Sequence, residues 1–366
     1  MLSYMKLLIF IFTSFFFASN LLAADSPLNV QSYYSLETNF LTTTPQFKRE
    51  SWETVTPAKP YHIAVLIPHL NDPYWITASY GLISHAKELG IQLSLYSFGG
   101  YGNFGDQRHK LVQLSKEVDG IILATVDNVK MDQTLQQLDL PVIGLINEIK
   151  SSAIKAKAMV SYQDAGYAAG KYVVEDSIGK DINIAFFPGP KRSGWADDMY
   201  EGFLAAISEL KPVNQTITIF PPLYGDTRHK VQRLRVSTLI KAKGLAQIDY
   251  IVGNAVAAKE AAKILSDLGE SSSAEVVSTY ITRDIYDDIK NGNVKAAPHD
   301  QTLVICQLAI DMMVKTLNGQ KPGVDFPYHA KPDFLMITNS NINEYSFYKL
   351  FGPAYFEPEV TEFRTR

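Results

Sequence analysis

The residue types that mark several classes of protein are scarce in this sequence of 366 residues. Cysteine occurs once, as Cys306, which excludes an internal disulfide framework and a zinc site made of cysteines. The seven histidines are scattered along the chain, and no two have the spacing of a helical metal-binding pair. We therefore expect neither a metal ion nor another cofactor.

The sequence also lacks a strong excess or cluster of charge of one sign. It has 34 basic and 38 acidic residues, and its formal net charge is −4. Nucleic-acid-binding domains carry a basic patch or stripe, and peripheral membrane proteins often carry a polybasic segment. We therefore expect no nucleic-acid partner and no direct insertion into a membrane.

Long apolar segments are absent after the first 24 residues. Residues 1–6 carry one positive charge, residues 7–17 form a mostly apolar run, and small residues precede Asp25. This run is too short to cross a bilayer, which takes about 20 residues. The pattern is typical of a cleaved secretory signal over residues 1–24, with an uncleaved anchor as the alternative.

What the sequence does contain is a repeated alternation of short apolar strands and amphipathic helices. A chain of this length suggests two domains, and the alternation indicates parallel sheets covered by helices. The strands are predicted at 62–67, 91–96, 120–124, 141–146, 183–187, 217–220, 250–253, 276–280 and 294–297. The helices are predicted at 74–89, 106–117, 131–138, 164–176, 195–210, 229–241, 255–268, 285–291 and 303–317. We expect two doubly wound domains whose strand-end loops face one shared cleft.

Motifs for catalysis are weak. Residues 100–105 match G-x-G-x-x-G, but they follow the second predicted strand, and no acidic residue ends a strand about 20 positions later. We interpret them as a glycine-rich loop of the cleft rather than a dinucleotide site. The G-x-S-x-G motif is absent, and residues 152–155 match S-x-x-K without its companion motifs. We therefore expect a protein that is not an enzyme.

Aromatic residues are concentrated on the loops that follow the predicted strands. Trp75 follows the first strand and Tyr101 the second, while Tyr162 opens the second domain and Tyr280 ends one of its strands. Several aromatic faces directed at one cleft suit a methylated ammonium group, because each face contributes ~0.5–2 kcal/mol of cation–π attraction. The carboxylate of Asp72 would add attraction for the positive end of such a ligand.

These features together resemble the type I periplasmic binding proteins, the ribose-binding and LacI-like group. The resemblance extends over residues 60 to 340 and is carried by residues 62–68, 72–75, 189–190, 201–203 and 299–301. It implies an α/β fold with two doubly wound parallel-sheet lobes, joined by a hinge that the chain crosses three times. It also implies a binding protein in the periplasm rather than an enzyme.

The resemblance also implies a division of the chain. Lobe 1 is expected at 60–147 plus 300–333 and lobe 2 at 148–299 plus 334–366, with crossings near 146–150, 298–301 and 330–337. Residues 25–59 precede this body as an N-terminal extension, which we expect to wrap around it with Phe40, Phe47 and Trp52 as anchors.

Within the group, the chain is similar to members that detect trimethylamine N-oxide (TMAO) and report to a membrane sensor histidine kinase. This closer similarity is carried by residues 72–75, 80–81, 99–101, 141–147, 166–167, 188–190, 276–280, 300–301 and 353–356. It implies a TMAO-like ligand and, as partner, the periplasmic sensor domain of such a kinase. The ligand-binding residues expected from it are Asp72, Trp75, Tyr101, Tyr162, Tyr280 and Asp300, with Tyr162 in place of a tryptophan of the family.

The alternative function is the solute-binding component of a sugar ABC transporter. Sugar binders of this group have an arginine before Gly-Phe, where this chain has Glu201, and an Asn-Asp pair where it has Asn254 and Ala255. Sugar hydroxyls need such hydrogen-bonding groups, because an unpaired buried polar group costs ~1–3 kcal/mol. Residues 300–301 alone remain of that set, which favours the TMAO-like ligand.

Overall fold

The computed structural model describes residues 31–35, 47–127, 129–191, 193–269 and 274–359, and for 31–35 and 47–50 the backbone alone. The predicted signal segment, Phe40 and the side chain of Phe47 lie outside this description. The strands are β1 (Gln31–Ser35), β2 (Phe47–Ser51), β3 (His62–Ile67), β4 (Gln92–Ser97), β5 (Gly120–Leu123), β6 (Val142–Leu145), β7 (Ala156–Ala158), β8 (Ile182–Phe187), β9 (Ile217–Ile219), β10 (Tyr250–Gly253), β11 (Glu275–Ser278), β12 (Ala296–His299), β13 (His329–Lys331) and β14 (Leu335–Thr338). The helices are α1 (Pro73–Glu88), α2 (Phe104–Leu114), α3 (Asp132–Leu135), α4 (Tyr162–Asp176), α5 (Trp195–Leu210), α6 (His229–Lys243), α7 (Ala255–Leu268), α8 (Arg283–Lys290), α9 (Thr302–Leu317) and α10 (Phe347–Phe351).

Within the described residues the strands form two sheets, each the centre of one lobe. The sheet of lobe 1 has the order β2-β1-β13-β7-β6-β5-β3-β4, and the sheet of lobe 2 has the order β14-β12-β11-β10-β8-β9. The central strands pair in parallel, while β1, β2 and β14 pair antiparallel at the edges. Strands such as β5 and β10 are buried along their whole length, as expected where helices cover both faces. The predicted α/β fold with two doubly wound lobes is confirmed.

The chain crosses between the lobes at 159–161, 300–301 and 332–334. At each of these segments, the preceding strand belongs to the sheet of one lobe and the following strand or helix packs in the other. The first crossing lies later than the expected 146–150. Because β7 pairs with both β6 and β13, residues 156–158 belong to lobe 1 and not to lobe 2. A strand of three residues is too short to show a period in the sequence, and its pairing comes from strands distant along the chain.

The N-terminal extension contributes strands that the sequence analysis did not predict. β1 pairs with both β2 and β13, which adds two strands to the edge of the lobe 1 sheet. Trp52 follows β2 and is partly buried against the core, and its indole Nε1 donates a hydrogen bond of 2.7 Å to Asp311 of α9. The expected role of Trp52 as an anchor of the extension is therefore confirmed.

Helices α4 and α5 of lobe 2 pack unusually closely because glycines lie at their contact. A Cβ atom on Gly166 would collide with the carbonyl oxygen of Met199, and one on Gly202 would collide with that of Gln163. The two helices can therefore approach until backbone touches backbone. Their N-terminal ends lie side by side at the cleft, which brings Tyr162 and Trp195, the first residues of α4 and α5, to one wall.

Candidate ligand-binding site

A small cavity lies between the lobes where strand-end loops and helix N-termini meet. Its volume is about 30 Å³, counted over the positions that the centre of a water molecule can take. The lining residues come from both lobes: Asp72, Tyr74, Trp75, Tyr101, Ile146, Asn147, Val160, Tyr162, Ala165, Trp195, Met199, Tyr280, Asp300 and Phe334. Lysine, arginine and histidine are absent from this lining, so aromatic rings and two carboxyl groups dominate its chemistry.

All six residues expected from the sequence to bind ligand lie on this cavity. Asp72 and Trp75 lie at the N-terminus of α1, Tyr101 on the loop after β4, and Tyr280 on the loop after β11. Asp72 is the N-cap of α1, since its carboxylate accepts a hydrogen bond of 3.0 Å from the backbone N–H of Tyr74. The cap holds this carboxylate at the cleft end of the helix.

The sequence analysis missed Trp195, which lies at the centre of the aromatic wall. Its ring centroid is 6.4 Å from that of Tyr101, 6.3 Å from Tyr162 and 6.1 Å from Tyr280, so it contacts rings from both lobes. Its position directly after the strand-end loop 188–194 was a signal that could have identified it. The wall therefore contains a tryptophan even though position 162 is a tyrosine.

The loop before α5 places the Trp195 ring. Gly189 has φ +126°, a conformation that L side chains rarely adopt, and a Cβ atom there would collide with the six-membered part of the indole. One side of the indole ring thus lies against the backbone of Gly189. An edge-to-face contact with the ring of Tyr280 also holds the indole in place.

Hydrogen bonds cross the cleft beside the cavity. The Tyr280 hydroxyl of lobe 2 donates to Asp72 of lobe 1 at 2.7 Å, and both side chains are buried. The Tyr162 hydroxyl of lobe 2 donates to the carbonyl oxygen of Ile146 in lobe 1 at 3.1 Å. These bonds join the two lobes directly beside the cavity.

Asp300 is held on the same side by two hydroxyl groups. Tyr74 donates to one carboxylate oxygen at 2.5 Å, and Thr302 donates to the other at 2.6 Å. Asp300 lies at the second crossing between the lobes, directly before Gln301, whose backbone is left-handed at φ +56°. Tyr74 lies within residues 72–75, which carry the family resemblance, but it is not among the predicted site residues, because nothing local indicates its bond to a residue 226 positions away.

Burial keeps the tyrosines of the cavity neutral. It raises the pKa values of Tyr74, Tyr162 and Tyr280 well above the ordinary value for a phenol, and nearby carboxylates raise those of Tyr74 and Tyr280 further. Burial also raises the pKa of Asp72, although the hydrogen bonds from Tyr280 and the Tyr74 backbone oppose this rise. The phenols therefore act as hydrogen-bond donors and π faces, not as anions.

Ile146, which has a strained backbone, directly precedes Asn147, whose side-chain amide lines the cavity. Ile146 has φ +59°, which is rare for a β-branched residue and often marks a functional constraint. The next residue, Asn147, donates to the carbonyl oxygen of Thr125 at 2.8 Å and accepts from the Tyr162 hydroxyl at 3.3 Å. The strain is thus associated with the polar contact between the two lobes.

The described part of the chain contains neither a cluster of metal-ligating side chains nor a membrane-spanning helix. No three His, Cys, Asp or Glu side chains there are grouped so that they could hold a metal ion. No helix in the described ranges is long and apolar enough to cross a membrane.

A family model described as Periplasmic binding protein domain matches residues 63–321 of this chain. The chain belongs to this family. The match covers most of both lobes and confirms the resemblance to type I periplasmic binding proteins that the sequence motifs indicated.

Individual relatives of this periplasmic binding protein are more specific. It is 27% identical over 360 residues to the periplasmic protein TorT of Escherichia coli (strain K12), and the alignment covers 97% of this chain and 96% of TorT. It is also similar to a chain in the crystal structure of the TorS sensor domain–TorT complex in the presence of TMAO, at 27% identity and a TM-score of 0.73, and the match covers 82% of this chain and 100% of that chain. It is also similar to an ABC transporter solute binding protein from Bradyrhizobium sp. BTAi1 with bound bis-tris, at 25% identity and a TM-score of 0.77, covering 91% and 98%.

Proposed function

We propose that this protein is a periplasmic sensor that binds TMAO, or a close methylamine analogue, in the cavity between its lobes. The observation that carries the proposal is the lining of the cavity: Trp75, Tyr101, Trp195 and Tyr280 surround it, and Asp72 lies against Tyr280. Such rings attract the electron-poor methyl groups of a quaternary nitrogen. The similarity to TorT supports the same ligand class.

The size of the cavity favours TMAO over a sugar. A volume of 30 Å³ for water centres is roughly two to three times what a single water molecule needs. TMAO has about five non-hydrogen atoms, and a monosaccharide has roughly twice as many. The sugar-transport alternative is supported by the similarity to ABC transporter solute binding proteins, but the closed cavity has little room for a sugar ring.

Calorimetric titration tests the choice of ligand. At ~1.5 kcal/mol for each non-hydrogen atom, TMAO can reach ~7.5 kcal/mol, which corresponds to a Kd of roughly a few micromolar. We expect TMAO to bind with a Kd of a few micromolar or higher, and we expect no heat of binding with ribose. Betaine and choline, which carry the same trimethylammonium group on a longer chain, test the size limit. Ribose binding without TMAO binding would support the transport function instead.

We further propose that the output is a contact with the periplasmic sensor domain of a membrane histidine kinase similar to TorS. The similarity to TorT in complex with the TorS sensor domain supports this partner. A ligand shifts the equilibrium between open and closed lobes by its differential affinity for the two states, and the cross-cleft bonds of Tyr280 and Tyr162 belong to the closed one.

The partner is tested by mixing the purified protein with such a sensor domain, with and without TMAO, and measuring complex mass and affinity. We expect a complex whose affinity or geometry changes with TMAO. The absence of a complex in both conditions would refute the signalling role and leave ligand binding to be judged by the titration.

A further inference from the structure

The segment that follows β14 joins the two lobes by side-chain contacts rather than by a crossing of the chain. We call residues 345–356, which include α10, the C-terminal strap. α10 packs against α8 of lobe 2, and it also contacts α9, the helix that packs with α1, β5 and β6 of lobe 1. The strap therefore links the lobes in addition to the hinge.

Ring contacts and hydrogen bonds anchor the strap in lobe 2. The ring of Tyr286 on α8 contacts that of Phe351 at 5.8 Å between centroids, and its hydroxyl donates to the carbonyl oxygen of Tyr345 at 3.0 Å. The guanidinium group of Arg283 on the same helix donates to the carbonyl oxygen of Pro353. Since Phe351 is 2% exposed, this side of the strap is built into the packing of the lobe.

On the lobe 1 side, the strap packs against Tyr80 of α1. The Tyr80 ring contacts those of Phe356 and Tyr348, at 5.1 and 6.4 Å between centroids, and a hydrogen bond of 3.0 Å joins the hydroxyls of the two tyrosines. A Cβ atom on Gly352 would collide with the Tyr80 ring, so the backbone of the strap touches this ring directly. Ring, hydroxyl and backbone contacts with the strap thus meet at Tyr80.

Helix α1 connects this contact to the cavity. Asp72 and Trp75 at the N-terminal end of the helix line the cavity, and Tyr80 lies five residues after Trp75, about 7.5 Å along the helix axis. A helix is a rigid element, so a rotation of lobe 1 against lobe 2 moves Tyr80 and the two cavity residues together. Opening the cleft therefore separates Tyr80 from the strap.

We propose that the C-terminal strap limits how far the two lobes rotate apart, and that it acts on Tyr80. Contacts between packed rings weaken steeply with distance, and the hydroxyl bond has one end on each lobe, so opening costs both. This cost is the same for any occupant of the cavity. The proposal thus goes beyond the proposed function and does not depend on the identity of the ligand.

The test measures how often the lobes separate in the ligand-free protein, from the alkylation rate of a thiol introduced by Met199→Cys. Met199 lines the cavity and is 2% exposed, so an alkylating reagent reaches the thiol only when the cleft opens. When closing is faster than alkylation, the rate is proportional to the open fraction. The native Cys306 is buried in α9 and serves as an internal reference for global unfolding.

Two variants remove the contact from opposite sides. Tyr348→Ala combined with Phe356→Ala removes both strap rings, and Tyr80→Ala removes their partner on lobe 1. We expect each variant to raise the alkylation rate of the introduced thiol by roughly 3- to 30-fold and to leave that of Cys306 unchanged. Tyr355→Ala is the matched control, because this tyrosine of the same strap is 98% exposed, and it should leave both rates unchanged.

The outcomes decide the proposal without reference to TMAO. If the doubly substituted strap gives the alkylation rate of the control, or if the two thiols react faster by the same factor, the strap does not limit the opening of the lobes. If Tyr80→Ala unfolds the protein, Cys306 reveals it and the strap variant alone decides. A failure of the wild-type protein to bind TMAO would overturn the proposed function and leave these rates to judge the strap.

Discussion

The hydrogen bond between Tyr280 and Asp72 joins the lobes at the edge of the cavity, and Tyr280→Phe removes it while keeping the ring. The ring contacts with Trp195 and Tyr74, at 6.1 and 5.7 Å between centroids, can persist in the variant. In the closed form one carboxylate oxygen of Asp72 then loses its donor, although the Tyr74 backbone still caps the other. The change should therefore act on closure and not on the shape of the wall.

The size of the effect follows from the burial of the pair. A hydrogen bond to a charged group contributes about 1.5–3 kcal/mol, and Asp72 is 4% exposed in the closed form. In the open form water can replace the lost donor, so the loss appears in the equilibrium between open and closed lobes. We expect TMAO affinity to fall by roughly 10- to 150-fold.

The assay is calorimetric titration with TMAO, together with small-angle scattering of the ligand-saturated protein to measure the fraction of closed molecules. Tyr286→Phe is a matched control, because its hydroxyl donates to the carbonyl oxygen of Tyr345 within lobe 2 at 3.0 Å. An affinity for Tyr280→Phe within about threefold of the wild type and the control would refute the view that this bond stabilises closure.

Three further changes test other parts of the structure. Gly166→Ala should lower the free energy of unfolding by at least ~1–3 kcal/mol in chemical denaturation, because the new methyl group collides with the backbone of α5. Burial lowers the pKa of His85, but its hydrogen bond to Asp311 outweighs this effect and raises the pKa. The stabilisation from this pair is therefore complete below the pKa of the unfolded state and is lost as pH rises through the pKa of the folded state. His85→Gln should flatten the dependence of the melting temperature on pH between about pH 6 and 9. Burial and the charge of Glu148 raise the pKa of Asp198 to about 6, so stability should fall as pH rises from about 4 to about 7, and Asp198→Asn should flatten the melting temperature over that range.

Local patterns in the sequence were sufficient for most of the central strands and the helices of the two lobes. Strands such as β3 and β10 are continuous apolar runs because they are buried on both faces, and helices such as α1 begin at a capping residue and show an apolar period. The rule that ligands bind at the carboxyl ends of parallel strands then placed Asp72, Tyr101 and Tyr280 near one cleft. These inferences hold because each depends on neighbours a few residues away.

Other features were decided only by contacts between distant parts of the chain. β7 and β13 have three residues each, and each is a strand because of partners far away in the sequence. The bond between Tyr280 and Asp72 joins residues 208 positions apart and needs both lobes in their closed arrangement.

The aromatic residues that line the cavity were also determined partly by the sequence and partly by the tertiary structure. The sequence by itself determined that aromatic residues would face the cleft, because their loops follow strands. The tertiary structure decided that Trp195 is central among them, since the close packing of α4 and α5 at Gly166 and Gly202 sets where the N-terminus of α5 lies. It also decided that the Tyr162 hydroxyl bonds to the carbonyl oxygen of Ile146 in the other lobe, because that contact depends on three-dimensional neighbours that no sequence period encodes.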